Sequence, residues 1–94
     1  MPELPNQKPT LEEDIGSISD IASRVVLYND DWHTFDEVIA QLIKAINCTY
    51  EQARALSFEV HVKGKAIVFS GSMPDCLRVS SILEEIALHT QIIT

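Results

Sequence analysis

The sequence predicts an α+β domain: a small, mainly antiparallel three-stranded sheet with helices packed on one face, in the order β-α-α-β-α-β. Three observations predict it. Short β-branched runs, "SRVVLYN" (23–29), "KAIVFSG" (65–71) and "TQIIT" (90–94), have the length and composition of strands. Two helix-periodic stretches separate the first pair of runs, and one separates the second pair. Two capping pairs, Thr34 with Glu37 and Thr49 with Gln52, stand where the first two helices should begin.

Residues 1–22 differ from the rest. They hold all but one of the prolines and few large apolar groups, so they read as a flexible extension. Thr10 and Glu13 within it could close only a transient helical turn. The folded domain is expected over 23–94. Its first strand ends at the Asn29-Asp30-Asp31 turn. The helix after Thr34 carries Phe35, Val38, Ile39, Leu42, Ile43 and Ile46 as one apolar stripe, which Asn47 and Cys48 interrupt. The second helix places Ala53, Leu56, Ser57, Val60 and His61 on one face. It should stop near Lys63-Gly64, because glycine accepts the left-handed backbone of a helix end. A strand over 65–71 follows. Ser72 then caps a third helix with Pro74 in its first turn and Leu77, Val79, Ile82, Leu83 and Ile86 as apolar positions.

At 94 residues the chain can bury one modest core. Its net charge of −7 argues against nucleic acid, whose binding relies on cationic side chains. The same charge attracts a cationic ligand group such as a peptide amino terminus. No apolar run approaches the ~20 residues of a membrane span, and the acidic start is unlike a signal peptide, so a cytoplasmic protein without membrane contact is expected. Cys48 and Cys76 form no CxxC pair and are expected to be reduced and buried. The chain has no GxSxG, phosphate-binding glycine loop or metal-ligand spacing. Neither an enzyme nor a cofactor is expected.

The polar candidates are Asn29, Asp30, Asp31, His33 and His61. If the first strand's end and the second helix converge, they form an amide, carboxylates and an imidazole beside Leu27, Phe35 and Val60. An amide oxygen, a carboxylate and a neutral imidazole nitrogen are all acceptors, and several acceptors around one point suit an ammonium with its three N–H groups. Blander readings stand beside this one. Asx-rich turns commonly precede helices, and Asp30 and Asp31 also complement a helix N-terminus. A helical His can simply be satisfied by a carbonyl, and Trp32 and Phe35 are most simply core or half-exposed packing residues.

The segments "VVLYNDD", "VIAQLIKAI" and "EVHVKGKAIVF", in this order and spacing, resemble the ClpS family of adaptors for bacterial Clp AAA+ proteases. The resemblance covers about residues 23–90 and implies a ClpS-like fold without catalytic activity. It implies binding of N-degrons, peptides that begin with Leu, Phe, Tyr or Trp, and their delivery to a Clp unfoldase through its N-terminal domain. Residues matching Asn29, Asp31 and His61, with Asp30 alongside, hold the peptide α-amino group in the family. Positions matching Leu27, Tyr28, His33, Phe35, Ser57, Val60 and Ile92 wall the side-chain pocket, Arg78 matches a basic unfoldase-docking position, and the extension over residues 1–22 engages the unfoldase during delivery. A monomer is expected.

The chain also departs from the family's pattern. His33 stands where a Thr is usual, and Phe35 and Ser57 stand where the pocket has Met. An acidic docking position falls near Met73-Pro74. These changes imply a reshaped pocket with its own order of preference among Leu, Phe, Tyr and Trp. They also leave open a related protein-interaction domain that has lost N-degron binding.

Overall fold

The computed structural model describes residues 22–94. Apart from Ala22, the extension expected over 1–22, including its turn at Thr10, lies outside the described residues. The elements are β1 (Ser23–Tyr28), α1 (Phe35–Ile46), α2 (Tyr50–Lys63), β2 (Lys65–Gly71), α3 (Met73–Glu84) and β3 (Thr90–Ile93). The sheet runs β2-β1-β3 with both pairings antiparallel, so the expected α+β architecture is the one adopted.

β1 is central and stops one residue earlier than expected. The Asn29 N–H still donates to the carbonyl of Gly64 at 2.9 Å, opposite it in the β1–β2 register, and the pairing goes no further. Both capping boxes form reciprocally. Thr34 accepts from the Glu37 N–H at 3.1 Å while Glu37 accepts from the Thr34 N–H at 2.7 Å, and Thr49 and Gln52 repeat the exchange. Each box satisfies two of the N–H groups that a helix start leaves without partners.

Val25 and Leu27 of β1 and Ala66 and Val68 of β2 meet buried residues of all three helices in one core. The strand period of two sends Val26 and Tyr28 to the opposite face, where Val26 pairs with Ile67 and Gln91. Sequence periodicity located the helix faces to within about one position. In α1 the buried residues are Ile39, Gln41, Leu42 and Ala45, whereas Val38, Ile43 and Ile46 are half-buried. Gln41 is admitted because its amide donates to the Ile82 carbonyl at 2.6 Å, which ties α1 to α3. Glu85 adds to that tie by accepting from Lys44 at 2.7 Å, and the ammonium lowers the Glu85 carboxyl below its ordinary value.

α3 departs further from expectation. Cys76, Val79 and Leu83 face the core, Leu77 is 54% exposed, and Ile86 lies beyond the helix end. Both cysteines are free; Cys76 is buried, but Cys48 is only half-buried because it sits in the short link between α1 and α2. Among the described residues no helix is long and apolar enough to cross a membrane.

Gly64 alone joins α2 to β2, with φ of 88°. A Cβ there would meet nothing within 4 Å, so the constraint is the backbone itself. Gly64→Ala should destabilise the domain by about 1–2 kcal/mol, the cost of a left-handed non-glycine residue, as read by urea unfolding.

Candidate functional site

The Gly64 turn brings two distant segments together. Its carbonyl receives the Asn29 N–H, and its own N–H donates to Val60 at 2.8 Å, so the last turn of α2 is held against the end of β1. Between them lies a cavity of about 390 Å³. Asn29, Asp30, Asp31 and His61 line it, together with the apolar side chains of Leu27, Phe35, Val38, Val60 and Leu88 and the small Ser57.

The polar residues divide into two groups. Asp30 serves the loop: its carboxylate accepts from the Trp32 N–H at 2.9 Å, the His33 N–H at 3.0 Å and His33 Nδ1 at 2.8 Å. Burial pushes the Asp30 carboxyl up, but the two backbone N–H groups and the imidazole outweigh it and hold it below its ordinary value. His33 donates from its other nitrogen, Nε2, to the carbonyl of Ile86. Both ring nitrogens face oxygen acceptors, so this geometry calls for the imidazolium. The Ile86 carbonyl first, then the Asp30 carboxylate, raise the His33 value above the ordinary range against an opposing effect of burial. His33 is thus a clasp between the pocket loop and the segment that carries Leu88.

Asn29, Asp31 and His61 form the second group. Their side chains are exposed at the cavity and, among the described residues, no hydrogen bond or ion pair engages them. They offer an amide oxygen, a carboxylate and an imidazole nitrogen. Beyond them the wall is apolar, so the arrangement suits a cation attached to a hydrophobic group. Among the described residues no group of three or more His, Cys, Asp or Glu side chains is placed to hold a metal.

The sequence-predicted residues fall into place unevenly. Leu27, His33, Phe35, Ser57 and Val60 line the cavity as expected from the resemblance. Tyr28 borders it, but its side chain belongs to the other sheet face, where the hydroxyl donates to Gln91 at 2.6 Å and the ring meets His89 edge-on. Ile92 does not reach the cavity. It pairs with Val25 and packs on the core, away from the Tyr28 end of β1 where the cavity opens. Leu88 is there instead, delivered by the irregular link before β3, for which the sequence carries no periodic signal. Thr34 and Val38 were also missed, although Val38 stands one helical turn after Phe35 and could have been read from that spacing.

Trp32 is not a packing residue. It is 87% exposed, because the Asp30 turn uses the Trp32 and His33 N–H groups and sends the indole outward. Phe35 is 38% exposed at the cavity mouth. Arg78 lies away from the cavity and donates to the Ala45 carbonyl at 3.2 Å, near the end of α1.

With this geometry in place, the similarities are informative. The family model described as "ATP-dependent Clp protease adaptor protein ClpS" matches residues 20–91. The chain belongs to the ClpS family. A ClpS adapter of Treponema denticola is 47% identical over 45 residues, 48% of this chain and 45% of that protein. The E3 ubiquitin-protein ligase ubr-1 of Caenorhabditis elegans is 42% identical over 53 residues, 56% of this chain but 3% of that protein. This chain therefore spans a small part of the ligase it matches and about half of the adapter. The fold is that of Agrobacterium tumefaciens ClpS2, solved bound to L-phenylalaninamide: the TM-score is 0.63 at 18% identity, covering 77% of this chain and 96% of that one.

The clasp in this ClpS domain makes stability depend on pH in a defined direction. His33 holds its proton more tightly than its ordinary value of 6.5, so its contribution is complete below that value and is lost as pH rises through the raised folded value. Asp30 holds its proton less tightly than its ordinary 3.8, so its contribution is complete above that value and is lost as pH falls through the lowered one. Between the two the clasp is intact. His33→Gln should cost about 1.5 kcal/mol in that window, the lower end for a hydrogen bond to a charged group. The difference in Tm between wild type and variant should shrink steadily as pH is raised above the window.

Proposed function

We propose that this chain is a non-enzymatic adaptor that binds the free N-terminus of peptides beginning with Leu, Phe, Tyr or Trp and passes those substrates to the N-terminal domain of a Clp AAA+ unfoldase. The observation that carries the reading is the set of unengaged acceptors, Asn29, Asp31 and His61, at the rim of a cavity whose remaining wall is mainly apolar. A primary ammonium offers three N–H donors to three acceptors, and the side chain attached next to it enters the apolar part. L-phenylalaninamide, the ligand of the Agrobacterium protein of like fold, pairs a free α-amino group with a large apolar side chain, which supports the same reading. A domain similar both to a protease adapter and to part of a ubiquitin-protein ligase fits a unit that selects substrates and leaves the chemistry to its partner.

The magnitudes agree with such a role. Burying a Leu or Phe side chain is favourable by ~1.5–3 kcal/mol, and each charge-assisted hydrogen bond to the ammonium adds roughly 1.5–3 kcal/mol. Association and ordering costs remove much of that sum, leaving affinity on the order of micromolar. Residues beyond the first few need not be read, which suits an adaptor with many clients. Docking to the unfoldase falls to the α3 surface around Arg78, where exposed Met73 and Leu77 lie one turn apart. Such a protein acts in the cytoplasm.

Fluorescence anisotropy with a Leu- or Phe-initiated peptide tests the proposal directly. The free amine should bind saturably and the N-acetylated peptide should not; no saturable binding of any of the four first residues would overturn it. Asp31→Asn and His61→Ala should each weaken binding by about tenfold or more, or 1.4 kcal/mol.

A further inference from the structure

Ser57 lies in the cavity wall 2% exposed, and among the described residues its hydroxyl is the buried side-chain polar atom left without a hydrogen-bond partner. A helical serine commonly returns its hydrogen to the carbonyl four residues back, which here is Ala53, but that bond is not made. Such an orphan is uncommon, since buried hydroxyls are nearly always paired. Leu27, Val38, Val60 and Leu88, which line the same cavity, have apolar side chains that cannot satisfy it.

Position along α2 suggests what can. Ser57 and His61 are one helical turn apart on the same face, and both line the cavity. One such step is about 6 Å along the axis, comparable with the reach of a tyrosine from its α-nitrogen to its phenolic oxygen. A ligand whose ammonium meets Asn29, Asp31 and His61 therefore carries a phenol towards Ser57. The serine side chain turns among staggered positions about χ1 and can donate or accept, as can a phenol. Phenylalanine fills the same space and leaves the hydroxyl as it already stands, buried and without a partner.

We infer that Ser57 is a specificity-determining residue that makes this pocket prefer an N-terminal tyrosine over an N-terminal phenylalanine. The inference rests on the proposed binding of peptide N-termini and adds the side chain which that site selects. Selection of this kind is strong because a site with a buried polar group penalises the ligand lacking its partner.

The test uses two peptides identical except for Tyr or Phe at residue one, titrated against the full chain and against Ser57→Ala, which removes one oxygen from a helix. Wild type should bind the Tyr peptide about tenfold more tightly. In the variant the two affinities should converge to within about twofold, with Phe binding retained as the sign of an intact pocket. A wild-type ratio near one, as expected if an enclosed water already satisfies Ser57, overturns the inference, and so does a ratio that survives the substitution. Either result leaves the adaptor reading standing, because both peptides still bind. Binding of neither peptide removes both.

Discussion

A single left-handed glycine joins α2 to β2, and the candidate site depends on that turn. With only Gly64 between Lys63 and Lys65, the helix end cannot move away from the sheet. Its carbonyl takes the Asn29 N–H as the last bond between the β1 and β2 segments, and so holds the strand end beside the end of α2, where both line the cavity. The neighbouring bond from the Tyr28 N–H to the His89 carbonyl fixes the other side, where Leu88 enters. Two backbone hydrogen bonds thus bring three parts of the chain to one point. None needs a charged or catalytic side chain to hold it there.

On this frame, acidic and amide residues that look alike in sequence have different tasks. Asp30 is consumed by structure, accepting from two backbone N–H groups and from His33. That frees Asp31 to face the cavity as the available carboxylate, beside Asn29 and His61. The separation matters energetically. A carboxylate already paired with an imidazolium adds little attraction for a further cation, whereas one without a partner adds a charge-assisted hydrogen bond. The overall charge of −7 reinforces the same preference at longer range.

The clasp and the cavity are coupled through the segment after α3. His33 holds the Ile86 carbonyl, Leu88 lines the wall two residues later, and Gln41 and Lys44 of α1 secure Ile82 and Glu85 just before it. An irregular link is thereby tied in place as part of the wall without regular secondary structure. A cavity built on such ties can be pre-organised, which lowers the ordering cost of binding. That suits the proposed role, in which many peptides would be engaged through one residue each.

The sequence by itself determined the element order, both capping boxes, the glycine helix end and the identity of nearly every polar group at the site. These features are local, since a cap or a left-handed glycine is decided by residues within one turn of each other. Most of the residues that the resemblance to ClpS adaptors named line the cavity, and they come from the same local segments. Long-range placement was legible only in part. Leu88 rather than Ile92 reaches the cavity because strand register sets Ile92 against Val25 and leaves the aperiodic link at the open end. Gln41 is buried because the Ile82 carbonyl, on another helix, receives its amide. Trp32 is outside because Asp30 closes its own turn, and Asp30 differs from Asp31 only in what the fold places beside it. Which donors meet which acceptors across the fold is a property of packing, and only the tertiary structure decides it.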